Sequence, residues 1–297
     1  MGIRLTRPIR DGLFTWQHRF KTLLARRTLS IHQALRLHSL GKRMNNMKDK
    51  RVIVTGASSG IGRATAELLL SEGATVALVG RRESALAEVI ANTPRPAAFV
   101  VTADLSDQKQ TERCVAQSVE TLGGLDVLVN AAGILRSGRI DATPLELWDE
   151  TMNINLRSVF HLMKLSVPHL ERTRGNIVNV SSVTGPRSFP GVLAYCVSKA
   201  GLDQLTRCAA LELAASGVRV NAVNPGVVVS GLHRSGGMSE EAYAAFLEHS
   251  KTTHPLGRVG EAREVAELIC FLASGRAEWI TGATVSIDGG RALTCAR

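Results

Sequence analysis

The chain has no C-x-x-C pair, and its five cysteines (Cys114, Cys196, Cys208, Cys270 and Cys295) are scattered and odd in number. That excludes a disulfide scaffold and fits a reducing compartment. His233 and His254 do not form a pair with metal-ligand spacing. No apolar run approaches the roughly 18 uninterrupted residues of a membrane-spanning helix, although 44% of the 297 residues are hydrophobic, ample for one large core. Internal repeats, low-complexity tracts and a linker to a second domain are also missing. Acidic residues are scarce at one end only. Residues 1–50 hold eight Arg and four Lys against Asp11 and Asp49, whereas residues 51–297 hold 24 charges of each sign. The formal net charge of +10 therefore belongs to the N-terminal segment; the body is neutral, and nucleic acid is not an expected partner.

What is present divides the chain at about residue 47. Residues 1–47 scatter arginines (Arg4, Arg7, Arg10, Arg19, Arg26, Arg27, Arg36 and Arg43) among apolar positions such as Leu13, Phe14, Phe20, Leu23 and Leu24. This basic, acid-poor extension has the profile of a mitochondrial transit peptide. A basic amphipathic helix lying on an anionic membrane reads equally from it, and so does initiation at Met44 or Met47. Any membrane contact would come through this segment. No compact apolar stretch follows the first charges, which argues against a secretory signal. The expected location is the mitochondrial matrix or the cytoplasm.

From residue 48 to 297 short apolar runs alternate with longer helical stretches: Val52–Val54, Val76–Val79, Ala97–Val101, Leu125–Val129, Ile177–Val180, Val218–Val223 and Val285–Ile287. Runs that are apolar on both faces indicate parallel strands covered by helices on both sides. The expectation is an α/β fold, a doubly wound seven-stranded parallel sheet of the Rossmann type in a single domain. Thr143-Pro144-Leu-Glu146 has capping-box spacing with Pro at the first helical position. Residues 227–258, inside the longest gap between predicted strands, are read as a substrate lid, with Gly236-Gly237 as its hinge. His233 and His254 in that stretch are read as solvated loop residues.

Three stretches carry chemistry. Thr55-Gly-Ala-Ser-Ser-Gly-Ile-Gly62 follows the first strand and opens a helix, so its glycines let the backbone approach a pyrophosphate, which the helix N-terminus attracts. After the second strand, Gly80-Arg81-Arg82 stands where an NADH-preferring enzyme places a carboxylate against the ribose 2′-hydroxyl. Arg81 instead offers a rigid fork of donors to a 2′-phosphate, so NADP(H) is expected in preference to NAD(H). Tyr195 and Lys199 stand four residues apart on one helical face, where the ammonium would favour the phenolate and lower the phenol's pKa. Ser182 ends the preceding strand, placing its hydroxyl to hold a carbonyl or alkoxide oxygen against that phenol.

Together Ser182, Tyr195-x-x-x-Lys199, Thr55-Gly-x-x-x-Gly-x-Gly62 and Asn130-Ala-Ala-Gly133 resemble the short-chain dehydrogenase/reductases over about Lys48 to Gly290. The resemblance implies strand order 3-2-1-4-5-6-7 and a catalytic set of Asn155, Ser182, Tyr195 and Lys199. Asn155 would hold a proton-relay water, and Lys199 would also hold the ribose. It implies a cofactor site lined by Thr55, Gly56, Ser58, Ser59, Gly60, Ile61, Gly62, Arg81, Asp104, Leu105, Asn130, Ala131, Gly133, Tyr195, Lys199, Pro225, Gly226, Val228 and Ser230. Asp104 reads either as an adenine-edge residue or as a turn residue ahead of a Ser106 helix cap. Ala131 departs from the family's more frequent Asn, and Ser230 from its Thr. The layout, with Leu256-Gly-Arg-Val-Gly, Trp279-Ile-Thr-Gly and Asp288-Gly-Gly290, is similar to 3-oxoacyl thioester reductases of fatty-acid synthesis. Reductases of small ketones, sugars or steroids share those patterns. A cofactor-binding scaffold without turnover is the alternative from another class, and it predicts a broken catalytic set. The family likeness also implies a homotetramer, partly through the Asn155 and Tyr195 helices, where Ala200 and Gly201 would permit close approach between subunits.

Overall fold

The computed structural model describes residues 47–93 and 97–294. The expected transit segment lies outside the described residues. The folded body begins at Met47. Its core takes in Met47, fully buried with Leu69, Leu70 and Ala74, so the folded body starts one residue before the expected Lys48.

Strands β1 (Arg51–Thr55), β2 (Thr75–Gly80), β3 (Ala98–Thr102), β4 (Val127–Asn130), β5 (Asn176–Val180), β6 (Arg219–Pro225) and β9 (Thr284–Ile287) build one sheet in the order β3-β2-β1-β4-β5-β6-β9. Every pairing is parallel. All seven sequence-predicted strands are present in the expected order. Alternate residues of a strand face opposite sides, and the two halves of the core follow that alternation. Val52 and Val54 of β1 join α1 (Gly60–Ser71), α2 (Glu83–Ala91) and α9 (Ala262–Ala273) on one face. Ile53 joins α3 (Gln108–Leu122), α5 (Ser158–Thr173) and α6 (Leu193–Leu213) on the other. The chain leaves β1 toward β2 on one side and reaches β4 on the other. This reversal opens a crevice at the strands' carboxyl ends, where doubly wound sheets take ligands.

Three local expectations are corrected. Helix α4 (Leu145–Met152) starts one residue late: Pro144 is its N-cap, and the Thr143 hydroxyl donates back to the Arg139 carbonyl at 2.6 Å instead of capping. Residues 227–258 are not strand-free, because β7 (Val228–Val229) pairs with β8 (Gly260–Glu261), followed by α7 (Leu232–Ser235) and α8 (Glu240–Thr253). Two-residue strands fall below the length at which alternation can be read. Gly201 faces Leu156 of its own chain, whose Cδ2 lies 2.9 Å from where a Cβ would stand. Its small size therefore serves internal packing; Ala200 is the exposed neighbour.

Candidate active site

Thr55 ends β1, and its hydroxyl accepts the amides of Ala131 and Ala132 at 3.1 and 3.2 Å. This ties the turn after β4 against the Gly-rich turn after β1. The fit is close: a Cβ at Gly56 would lie 2.8 Å from the Ala132 nitrogen, and one at Gly62 would lie 2.3 Å from the Gly56 carbonyl oxygen. Gly56 also has a φ of +67°, which side chains other than hydrogen disfavour. Ser59, the N-cap of α1, makes no side-chain bond to the first turn, so those amides keep their donors for a ligand. The backbone is thus shaped and polarised for a phosphate.

The crevice is a cavity of about 990 Å³. At one end stand Ser58 to Gly62, Arg81, Asp104 and Leu105; at the other, Ser182, Tyr195 and Lys199, with Ala131 and Gly133 after β4 between them; Pro225, Gly226, Val228 and Ser230 also line it. Three of the sequence-predicted residues, Thr55, Asn130 and Asn155, are buried behind the wall. Asn130 donates to the Asn179 side chain at 2.9 Å, bracing β4 against β5. Asn155 accepts the Ile134 amide at 2.8 Å and donates to the Ile134 carbonyl at 2.9 Å and to Ser198 Oγ at 3.1 Å. It lies in a π-helical turn, Asn153–Arg157, inserted between α4 and α5. Such turns are rare and tend to mark functional sites. Asn153 serves a neighbouring loop, donating to the Ser106 carbonyl at 3.2 Å.

Asp104 is a turn residue that also reaches the cavity wall. One carboxylate oxygen takes the Ser106 hydroxyl at 2.7 Å and the Ser106 amide at 2.9 Å, which holds its pKa below the usual range, and the residue also lines the cavity. The cap of α3 is Asp107, not Ser106. Arg81 is exposed, and no ion pair among the described residues holds it.

Ser182, Tyr195 and Lys199 converge as expected, all at least nine-tenths buried. Lys199 Nζ donates to the Val180 carbonyl at 2.8 Å and lies 5.6 Å from the centre of the Tyr195 ring. The Tyr195 shift runs opposite to the expected one. Burial pushes the phenol up to about 12, against the pull of its hydrogen bond with Ser182. Burial also brings the Lys199 ammonium down to about 8, with the Asp203 carboxylate opposing. Desolvation of both groups outweighs their mutual influence.

Several side chains around the cavity were misread or missed in the sequence. His254 is not solvated: it is 3% exposed, its Nδ1 donates to the Ser250 carbonyl at 2.6 Å, and its Nε2 accepts the Val227 amide at 3.1 Å. Burial lowers its pKa, consistent with a neutral ring used as a strut beneath Pro225-Gly226. His233 is half-buried against Phe246, the ring centres 4.5 Å apart. Tyr243 of α8 accepts the Ser230 amide at 3.2 Å and donates to the Ser230 carbonyl at 3.0 Å. Arg136 pairs with Glu150 at 3.1 Å and donates to the Ser235 carbonyl at 3.0 Å, latching α7 to the segment after β4. Ser239-Glu240-Glu241 is a legible cap for α8, whereas contacts between distant segments leave no local pattern.

With this geometry in place, the chain is assigned: it belongs to the short-chain dehydrogenase/reductase family and is an NAD(P)-dependent oxidoreductase. Residues 56–292 match the family model described as enoyl-(acyl carrier protein) reductase. A 3-oxoacyl-acyl-carrier-protein reductase of Staphylococcus aureus is 38% identical over 245 residues, covering 81% of this chain and 97% of the relative. A meso-2,3-butanediol dehydrogenase of Serratia marcescens is 36% identical over 242 residues, covering 82% and 94%. Among solved structures, a Caenorhabditis elegans short-chain dehydrogenase/reductase of unknown function, crystallised with cofactor, superposes with a TM-score of 0.79 at 34% identity, covering 84% of this chain and 97% of that one.

Proposed function

We propose that the protein is an NADP(H)-preferring reductase of a small carbonyl compound, with a 3-oxoacyl thioester as the leading substrate. The observation that carries this reading is the convergence of Ser182, Tyr195 and Lys199 at one end of a cavity whose other end is the Gly-rich turn beside Arg81. The nicotinamide cofactor, when bound, supplies a hydride to the carbonyl carbon. The rest falls to the protein. A phenol with its pKa pushed up to about 12 is protonated at neutral pH and can donate to the oxygen as negative charge develops there. The Ser182 hydroxyl holds that oxygen against the phenol. The Lys199 ammonium, ionised below about pH 8, stabilises the phenolate left behind. Asn155 holds the Ile134 peptide and completes the relay beside Lys199. The 3-oxoacyl thioester choice rests on the likeness to the Staphylococcus relative; the Serratia diol dehydrogenase favours a small ketone. The intact catalytic set argues against a scaffold without turnover.

A homotetramer is proposed through the outer faces of α5 and α6, where Phe160 is 50% and Val197 41% exposed. The basic composition of residues 1–46 supports import into the mitochondrial matrix, with a cytoplasmic enzyme as the alternative. Arg81 tests the cofactor assignment. A charge-assisted hydrogen bond contributes about 1.5–3 kcal/mol, a preference of roughly 10- to 150-fold. Arg81→Ala should raise the KM for NADPH by about that factor and leave NADH nearly unchanged. Equal or better efficiency with NADH in the unmodified enzyme would overturn the preference.

A further inference from the structure

Asp104 is the one carboxylate among the described residues that line the cavity, and it stands at the nucleotide end. The basic side chains there are more numerous. Lys199 serves the phenol, Arg81 and Arg82 flank the nucleotide end, and Arg136 is neutralised by Glu150. Arg291 remains. It reaches the substrate end from just beyond β9, half-buried, with its guanidinium carbon 5.0 Å from the centre of the Phe189 ring and one arm donating to the Thr253 hydroxyl. Phe189 belongs to the loop that leads from Ser182 into the Tyr195 helix, so Arg291 borders the space in which a substrate would meet the phenol.

A second cation stands behind it. Arg187 donates to the main-chain carbonyls of Arg291, Ala292 and Thr294, and among the described residues its guanidinium meets no carboxylate. Asp288 is the acid of this corner, but its two oxygens are taken by the amides of Gly290 and Ala292 at 3.0 and 2.8 Å. Neither arginine is in an ion pair among the described residues. Burial and the neighbouring Arg187 charge both lower the Arg291 pKa, with Asp288 opposing, as for a cation that lacks a full counter-ion. Among the described residues the corner carries two guanidinium charges against one carboxylate, and Arg291 brings to the cavity wall a fork of donors suited to an oxyanion.

We propose that Arg291 is a specificity-determining residue that receives a carboxylate or phosphate carried by the substrate at a distance from its reacting carbonyl. This rests on the reductase reading of the same cavity and narrows it to anionic carbonyl compounds. The test compares kcat/KM for straight-chain oxo acids, with ketone and carboxylate progressively further apart, against their methyl esters. A hydroxyketone phosphate against the free hydroxyketone forms the second arm and separates phosphate from carboxylate as the recognised group. At least one anionic compound should exceed its neutral counterpart by roughly 10- to 150-fold. Arg291→Gln should remove that advantage through KM while leaving neutral compounds within about two-fold, and Arg291→Lys should restore part of it. Parity of anionic and neutral compounds in the unmodified enzyme, or equal losses for both in Arg291→Gln, overturns the proposal. Quenching of bound NADPH fluorescence by the same compounds reads the site without turnover. Anion-selective binding that Arg291→Gln abolishes, with no reduction of any compound, would support the anion site and overturn the reductase reading; reduction without anion preference would do the reverse.

Discussion

Lys199 has the most demanding position of any side chain in the site: an ammonium 4% exposed, bonded to one carbonyl and balanced by the Asp203 carboxylate on the next turn of its helix. The electrostatics set a pH dependence. In the proposed mechanism the ionised lysine is the form that stabilises the phenolate, and its pKa is lowered to about 8. The phenol itself does not titrate until about 12. Reduction should therefore hold a plateau at neutral pH and decline above about pH 8 as Lys199 loses its proton. Asp203 raises the lysine pKa, so Asp203→Asn should move the declining limb to lower pH with the plateau kept, as read from the pH profile of kcat/KM. A lower plateau with an unmoved limb would make Asp203 a packing residue only. The position of Tyr195 beside Lys199 was legible in their four-residue spacing. The direction of the tyrosine shift was not, because spacing reports which charges are neighbours and carries no measure of how deeply both are buried.

At the scale of elements, strands that are apolar on both faces announced a covered parallel sheet, and the Gly-rich turn announced where its crevice lies. The features that resisted reading are short or depend on distant partners. The β7–β8 pair has two residues a side, the π-helical turn is one extra residue in an otherwise helical run, and the Tyr243–Ser230 and Arg136–Ser235 contacts join segments far apart in the chain. We propose that those contacts hold α7 and α8 as a cover over the substrate. Arg136→Ala should loosen it. An exposed ion pair contributes about 0.2–1 kcal/mol, so the KM for the carbonyl substrate should rise up to roughly five-fold with kcat little changed. Hydrogen exchange across 231–250 should quicken in parallel. A fall in kcat with an unchanged KM would show that the latch acts on the chemistry and not on access.

For the whole molecule, the charge asymmetry and the position of Met47 decide what can be removed. The body is neutral and has its own core, so a chain starting at Met47 should keep the thermal midpoint and turnover of the full chain. Met47 belongs to that core, fully buried with Leu69 and Leu70. Met47→Ala in the full chain should cost about 2–5 kcal/mol, and chemical denaturation would show a residue at the surface if the loss were negligible. The central claim is that this cavity reduces a carbonyl with the Tyr195 proton, and it is tested most directly by cofactor absorbance when NADPH is mixed with a panel of carbonyl compounds that includes a 3-oxoacyl thioester. The unmodified protein should oxidise NADPH with at least one of them. Tyr195→Phe, which keeps the ring, should bind NADPH as before and lose roughly 10²- to 10⁴-fold or more in turnover. A Tyr195→Phe variant that retains most of the activity would contradict the account.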